Sequence, residues 1–553
     1  MKTPIKYIST SCLMLLMVGM LSTSCKKSLD SSLSIIPHDR LTGDEVFAST
    51  SAADLFLNDI YNNLPDGNNY YDPFDNWSDN SICGFSWPNS RNEALQASYT
   101  PSTIDFGQAL NLDWTTNYSY IRKCNVFIAN VTASALPDDY KKARLAEARF
   151  LRAYFYHLIW MAYGGVPIIT TPLDITTQGD KAFYARNTSD ETYKFITTEL
   201  AAVAADLPAT PAQSGRASSG AALTLKGWVE LYNHDYATSA TTSKQVIDSK
   251  VYSLFSDYGS LFLDNTANQE AIFYREYIPR VKGNAYAGYN GPTFTKGGVE
   301  TSWGGVNPTQ ELVDDYDMDN GLPISNPASG YDPKHPYVHR EKRFYQSIVY
   351  DGSYFYNDTI YTRQGINSPN EIDLSDHNDA GQTGYYIRKN VNENITLGPD
   401  NWNSPGSGGQ NYYYFRYAEV LLNYAEAQNE ASGPDATVYD AINQVRTRSA
   451  LPNLTPGLPQ DQMRTAIRRE RRVELAFEDK RWWDLMRWKL AEVNINKPLH
   501  GIAITADGSG GFNYTPVTTP GGNRKFDATK NYLFPIPQNA IDRNTKLKQN
   551  PGY

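Results

Sequence analysis

The sequence has little cysteine, no excess of basic residues and no familiar catalytic motif. Four of its 553 residues are cysteine, and Cys83 and Cys124 lack the C-x-x-C spacing of a zinc site. These two thiols could form one disulfide, although a chain of this size does not need it. The formal net charge of −10 argues against nucleic acid or an anionic lipid surface as the partner.

Sequence patterns for metal binding or catalysis are weak or absent. Gly-x-Ser-x-Gly and the phosphate-binding P-loop pattern do not occur. His335 and His339 are four residues apart, but Pro336 between them argues against a continuous helix, and no general-base glutamate follows His335. We therefore expect no metal and no cofactor.

The N-terminus has the features of a secretory signal. Lys2 and Lys6 precede an apolar run over 12–21, and three small residues then lead to Cys25. This run is too short to span a bilayer. A cysteine in this position looks like the acylation site of a bacterial lipoprotein, although Leu21 is four residues before it rather than three. We predict a signal peptide over 1–24 and lipidation at Cys25; the alternative is ordinary secretion with a leftover thiol.

The composition is rich in aromatic and uncharged polar residues. The chain contains 40 tyrosines and 10 tryptophans, and only 20% of its residues are charged. Its mean hydropathy is −0.52. Aromatic faces beside hydrogen-bonding neighbours suit neutral, ring-shaped polar ligands such as sugars.

Helical periodicity covers both ends of the chain and fades in the middle. The predicted helices span 44–64, 110–135, 138–163, 190–206, 217–236, 416–430, 436–449 and 460–493. Short turns within some pairs of helices predict stacked helical hairpins. Between them, a stretch rich in Gly, Asn, Tyr and Pro predicts functional loops, with short strands at 271–274 and 346–350.

Four segments of the chain are distinctive: AEARFLRAYFYHLIWMAYGGVPII (146–169), FRYAEVLLNYAEAQN (415–429), RRERRVELAFEDKRWWDLMRW (468–488) and YLFPIPQNAIDRNTKLKQNPGY (532–553). They resemble motifs of the SusD/RagB family, which are outer-membrane nutrient-binding lipoproteins of Bacteroidetes. The segments occur in the family's order, and the resemblance covers essentially the whole chain. CKKSLD (25–30) is similar to the family's lipidated start.

The resemblance implies a mostly α fold and a binding function. Tetratricopeptide-like helix pairs would form the scaffold, with long irregular loops and a few short strands. A single domain would span 25–553, with the helical scaffold at about 40–250 and 415–553 and a loop-rich ligand-binding region at about 251–414. The protein would sit as a lid on a SusC-like TonB-dependent transporter, anchored through Cys25 to the outer membrane and facing outward. Its ligand would usually be a glycan, and it would perform no catalysis.

The family's binding aromatics come from two loop regions, which the resemblance maps onto this chain by position. The first follows the opening helix and contains Trp77 and Trp87. The second precedes PTQELVDDYD (308–317) and contains Tyr289 and Trp303. The polar residues that could supply hydrogen bonds beside the first pair are Asn76, Asn89 and Arg91. The alternative for each tryptophan is a buried loop anchor.

Two other functions remain open at this level. The chain could bind peptides or another non-sugar nutrient in the same kind of transporter system. It could instead be a secreted glycoside hydrolase, which would need two facing carboxylates at a defined separation. Five tryptophans in predicted helices are expected in the core: Trp160, Trp228, Trp482, Trp483 and Trp488.

Overall fold

The structure is a computed structural model that describes residues 46–69, 72–88, 91, 93, 96–104, 112–263, 268–293, 295–296, 299–300, 302–375, 381–394, 406 and 408–553. The predicted signal peptide, the predicted lipidation site at Cys25, and Asn89 lie outside the described residues.

The described part of the chain is mostly helical. Its α-helices are α1 (Thr50–Asn62), α2 (Trp114–Ala133), α3 (Asp138–Tyr163), α4 (Ile175–Gln178), α5 (Ser189–Asp206), α6 (Ser219–Tyr232), α7 (Tyr236–Asp248), α8 (Tyr258–Leu261), α9 (Tyr286–Asn290), α10 (Gln310–Asp315), α11 (Lys342–Ser347), α12 (Tyr417–Ser432), α13 (Ala436–Arg448), α14 (Gln460–Glu474), α15 (Arg481–Arg487), α16 (Ala491–Asn494) and α17 (Gln538–Arg543).

The strands are short and pair two by two. They are β1 (Ser81–Cys83), β2 (Ala271–Arg275), β3 (Thr295–Lys296), β4 (Val299–Glu300), β5 (Val306–Pro308), β6 (Ile348–Val349), β7 (Ser353–Phe355), β8 (Asp358–Ile360), β9 (Tyr386–Ile387), β10 (Tyr412–Arg416), β11 (His500–Ala506) and β12 (Phe512–Thr518). The antiparallel pairs are β1 with β5, β10 with β2, β11 with β12, β3 with β4, β6 with β9, and β7 with β8.

The long helices stack as consecutive hairpins. Short turns over 134–137, 233–235 and 433–435 join α2 to α3, α6 to α7, and α12 to α13. Contacts then run from α3 to α5, α5 to α6, α7 to α12, and α12 to α14. Each amphipathic helix buries its apolar face against the next, as helical repeats do. The predicted fold class, a mostly α scaffold of helix pairs with long loops and a few short strands, is confirmed.

Helix α3 forms the centre of this scaffold. Two aspartates occupy its first turn, where they complement the helix dipole. From Phe150 to Tyr163 it is buried on every side, as expected for a helix that is surrounded by others. It ends at Gly164, whose φ of 74° is favourable only for glycine. The five tryptophans expected in the core from their helical positions are all buried.

The predicted helix over 460–493 is broken, which corrects the sequence analysis. Helix α14 ends at Glu474, and α15 begins only at Arg481. Between them, Phe477 and Asp479 adopt left-handed backbone conformations with φ of 63° and 59°. The break turns Asp479 back towards the 72–80 loop, where its Oδ1 accepts the Phe74 N–H at 2.7 Å.

Candidate ligand-binding site

A short β-ladder joins the two loop regions that the sequence analysis identified separately. Strand β1 lies within the first region, between Trp77 and Trp87, and it pairs antiparallel with β5, which follows Trp303 in the second. Just beyond the ladder, the Gly84 N–H donates to the Gly305 carbonyl at 3.1 Å. This pairing holds the chain leading to Trp87 beside the chain that carries Trp303.

Trp87, Tyr289 and Trp303 form what we call the aromatic patch, with Phe85 beneath it. The Tyr289 and Trp303 ring centroids are 5.8 Å apart at an interplanar angle of 44°. The Phe85 and Trp87 centroids are also 5.8 Å apart, at 33°. Trp87 is 54% exposed, Phe85 is buried, and the other two rings are half-buried. The patch therefore offers apolar ring surface to solvent on a rigid support.

Glycine at position 305 allows the Phe85 ring and the Tyr289 backbone to approach each other closely. Its N–H donates to the Tyr289 carbonyl at 2.7 Å. A Cβ added at Gly305 would lie 2.8 Å from the Phe85 ring and 2.8 Å from the Tyr289 carbonyl oxygen, which is closer than real contacts allow. The Phe85 ring therefore packs directly against the backbone that positions Tyr289.

Buried polar side chains hold the base of the patch. Asn307 is fully buried; its Nδ2 donates to the Gly304 carbonyl at 2.5 Å and its Oδ1 accepts the Gln382 N–H at 2.6 Å. The Ser302 hydroxyl donates to the Ala287 carbonyl at 2.7 Å. Because buried polar groups need such partners, these bonds fix the loop that carries Trp303.

Trp77 does not belong to the patch, so its predicted role as a ligand platform is wrong. It is only 1% exposed. Its ring stacks on Phe74 at 5.1 Å and contacts Trp482 and Phe534 edge-on at 5.8 and 6.1 Å. With its ring surface covered by other aromatic side chains, Trp77 is a buried anchor of its loop.

Asn76 and Arg91 are also buried, each at 5% exposed. The Asn76 amide donates to Asp72 Oδ1 at 3.1 Å and to the Gly305 carbonyl at 3.3 Å, and its Oδ1 accepts the Ser81 hydroxyl at 2.8 Å. Asn76 therefore makes its hydrogen bonds inside the protein, and its bond to the Gly305 carbonyl supports the segment that carries Trp303. The prediction that Asn76 and Arg91 face a ligand is wrong for the same reason, burial.

The three rings of the aromatic patch, Trp87, Tyr289 and Trp303, carry no charge. Burial raises the pKa of the Tyr289 phenol, which therefore stays neutral at physiological pH. A neutral hydroxyl beside apolar rings can both donate and accept hydrogen bonds. This combination suits an uncharged polar ring.

Two carboxyl groups with raised pKa values lie in the interior below this region. Burial and the neighbouring Asp479 raise the pKa of Asp75 to about 7, and burial raises that of Asp479. Asp75 is 0% exposed and Asp479 is 6% exposed. Their oxygens accept backbone N–H groups of Asp479 and Phe74 at 2.8 and 2.7 Å. Both carboxyl groups are therefore buried and hydrogen-bonded to the backbone, and they do not face solvent.

The other sequence candidates have local partners. His335 Nδ1 lies 2.7 Å from Asp332, and His339 Nδ1 lies 3.1 Å from Asp319. Within the described ranges, no group of three or more His, Cys, Asp or Glu side chains is arranged to hold a metal.

Cys83 and Cys124 are both buried free thiols, so the possible disulfide between them does not form. Of the helices described, none has the length and apolar character needed to cross a membrane.

Sequence reasoning missed Phe85, Gly305 and Asn307. Phe85 stands two residues before Trp87, and this aromatic spacing was a usable signal. The roles of Gly305 and Asn307 depend on contacts with distant segments and left no local signal.

Comparison with known families identifies the class of protein. A model described as the SusD family matches residues 269–553, and a second, described as "Starch-binding associating with outer membrane", matches residues 44–229. The chain belongs to the SusD family, which confirms the resemblance drawn from its motifs.

Individual relatives agree with this assignment. SusD-like protein P2 of Formosa agariphila is 26% identical over 467 residues, covering 80% of each chain. SusD-like protein P38 of the same organism is 25% identical and covers 90% of this chain and 94% of its own.

Solved structures with the same fold extend over nearly the whole chain. A SusD-like protein from Bacteroides fragilis superposes with a TM-score of 0.78 at 28% identity, covering 94% of this chain and 100% of that one. A SusD-like carbohydrate-binding protein from the same species gives 0.77 at 27% identity, covering 91% and 100%. At family level, SusD-like proteins therefore include carbohydrate binders.

Proposed function

We propose that this protein is a non-catalytic, cell-surface glycan-binding lipoprotein. It binds oligosaccharide or polysaccharide at the aromatic patch and delivers it to a SusC-like TonB-dependent transporter in the outer membrane. Cys25 anchors it by lipid to that membrane, facing outward. The observation that carries the proposal is that the β1–β5 ladder pairs the segment leading to exposed Trp87 with the segment carrying Trp303, whose ring lies 5.8 Å from that of Tyr289.

The chemistry of the patch favours a sugar. The C–H face of a pyranose ring buries apolar area on an aromatic plane while its hydroxyls keep their hydrogen bonds. One such contact contributes about 1 kcal/mol, so a single sugar binds weakly. Several rings along one chain add up, which favours a polymer over a monosaccharide.

The placement of the unusual carboxyl groups favours binding over hydrolysis. A glycoside hydrolase needs two carboxyl groups that reach the substrate, one of them commonly with a raised pKa. Asp75 and Asp479 have raised pKa values, but both are buried and hydrogen-bonded to backbone. Peptide binding is the alternative that the same transporter system would accommodate.

Calorimetric titration of the purified full chain with neutral polysaccharides and peptide mixtures tests the proposal. We expect saturable binding to one glycan class, weakened roughly 5- to 10-fold in Trp87→Ala and in Trp303→Ala, since each removes a contact of about 1 kcal/mol. Tyr354→Ala is the matched control, because Tyr354 is 60% exposed on β7 and lies outside the aromatic patch.

The outcomes separate the three functions. Unchanged glycan binding in both tryptophan variants would show that the glycan does not bind at the aromatic patch. Binding of peptides with no glycan binding would select the alternative nutrient. Release of reducing ends during the titration would identify an enzyme. Membrane anchoring is tested separately by lipid labelling of the intact chain, which Cys25→Ala should abolish.

A further inference from the structure

A second cleft lies on the helical scaffold and shares no residue with the aromatic patch. It encloses about 260 Å³ between the start of α2, the segment after α3, and α17. The residues that define its character are Trp114, Tyr118, Pro167, Tyr184, Ala540 and Arg543. Its volume lies just below the usual range for small-molecule sites, which suits one ring with a short substituent.

The walls of this scaffold cleft are apolar and preformed. Trp114 and Tyr118 are one turn apart on α2, with ring centroids 5.1 Å apart. The Tyr118 hydroxyl donates to the Pro167 carbonyl at 2.8 Å. Across the cleft, Asn544 Nδ2 donates to the Tyr184 carbonyl at 2.8 Å and ties the end of α17 to the opposite wall.

Cations near the cleft lack carboxylate partners. Among the described residues, Arg543, Arg186 and Lys546 form no ion pair within 4.0 Å. Lys546 donates to the Phe183 carbonyl at 2.9 Å, and Arg186 donates to the Gly165 carbonyl at 2.7 Å.

Many other cations in the described part of this acidic chain pair with carboxylates, as Arg149 and Arg152 do with Glu199. Burial lowers the pKa of Arg186, which interacts electrostatically with the Tyr118 phenol on the cleft wall. The acid next to Arg543 along the chain, Asp542, accepts the Gln538 amide at 2.8 Å instead. Arg543 is exposed in the cleft lining and has no carboxylate partner among the described residues, so its guanidinium is available to an anionic ligand.

We propose that the scaffold cleft is a second ligand site, which binds a small carboxylic acid with an apolar ring. The ring lies between Trp114, Tyr118 and Tyr184, and the carboxylate meets the Arg543 guanidinium at the mouth. The planar guanidinium matches a carboxylate geometrically. The largely apolar walls favour an aryl ring over a sugar, which would leave its hydroxyls without partners.

Titration of the purified full chain with phenylacetate, phenylacetamide and glucuronate tests this assignment. By calorimetry and saturation-transfer NMR, phenylacetate should bind at least fivefold more tightly than its neutral amide. Arg543→Gln should remove that difference by weakening phenylacetate alone. Lys334→Gln, which neutralises an exposed lysine outside the cleft, should change nothing.

Filling the cleft gives an independent readout. Ala540→Leu should abolish binding of both phenyl compounds, and Tyr184→Ala should weaken both, with the thermal midpoint monitored to exclude unfolding. Absence of phenylacetate binding, or equal binding of acid and amide in the unmodified chain, would overturn the proposal. So would unchanged phenylacetate binding in Arg543→Gln, or glucuronate binding in place of phenylacetate.

Discussion

Replacing Glu474 by glutamine should destabilise the protein far more than replacing a glutamate whose ion pair lies nearer the surface. Glu474 is 0% exposed and receives three guanidinium groups. Its Oε1 lies 2.6 Å from Arg416 and 2.5 Å from Arg448, and its Oε2 lies 2.9 Å from Arg343. These arginines come from α13, from the end of β10 and from α11, so one carboxylate joins the loops to the scaffold.

The size of the effect follows from burial. Removing one partner of a buried ion pair costs about 3–5 kcal/mol, because the remaining charge cannot be resolvated. Glutamine keeps one acceptor oxygen but turns an amide group towards an arginine. An unfolding entropy of about 2 cal/mol/K per residue gives about 1 kcal/mol/K for this chain, so the melting temperature should fall by about 3–5 °C.

Glu430→Gln is the matched control. Glu430 receives Arg464 in two hydrogen bonds of 2.6 Å each, but the arginine side chain is 30% exposed and the glutamate 13%. A pair of this kind near the surface contributes at most about 1 kcal/mol. Urea unfolding followed by tryptophan fluorescence at pH 7 measures both variants. Equal losses in the two would refute the argument from burial.

The pH dependence gives a second check on Glu474. Burial alone would raise its pKa, but Arg448, Arg416 and Arg343 outweigh burial and hold the pKa well below its usual value. A depressed folded pKa contributes stability above the unfolded value of about 4.5, and that stability is lost as the pH falls. The deficit of Glu474→Gln should therefore shrink between pH 7 and pH 3.5. A constant deficit would contradict the charge-based explanation.

Three further substitutions test the interior and the patch. Asp75→Asn should flatten the decline in stability between about pH 4 and pH 7, because the raised pKa of Asp75 stabilises the fold at low pH and that contribution is lost as the pH rises; urea titrations across this range measure it. Trp77→Ala should cost about 3–5 kcal/mol, whereas Trp87→Ala should change stability by less than about 1 kcal/mol, in the same unfolding assay. Gly305→Ala should abolish glycan binding in calorimetry while helical circular dichroism persists, since its Cβ would meet the Phe85 ring at 2.8 Å. Glycan binding retained in Gly305→Ala would show that this close approach is not required.

Most of the helical scaffold was predictable because its signals are local, although α7 was not predicted. Apolar periodicity, capping residues and the glycines after α3 all lie within the segments that they shape. The break after Glu474 was not predictable from the same signals, because the local sequence is strongly helical. There, the carboxylates of Glu474 and Glu478 both reach Arg416, a partner about 60 residues away.

The candidate site was predictable in part, and the failures have one cause. Trp77 and Trp87 share a polar stretch of similar composition, so nothing local distinguishes a buried ring from an exposed one. What distinguishes them is that Trp482 and Phe534, more than 400 residues later, cover Trp77 and leave Trp87 uncovered. The same long-range packing buries Asn76, which looked like a ligand contact.

The division between exposed rings and a buried polar base also explains how such a site can vary. Trp87 can change with little effect on packing, because its environment is largely solvent. Asn307 and Gly305 cannot, because one is bonded to two separate segments and the other leaves no room for a Cβ. Changes of ligand preference should therefore come from the rings and not from their base. A chain with altered aromatic residues above the same asparagine and glycine should keep the fold and bind a different glycan.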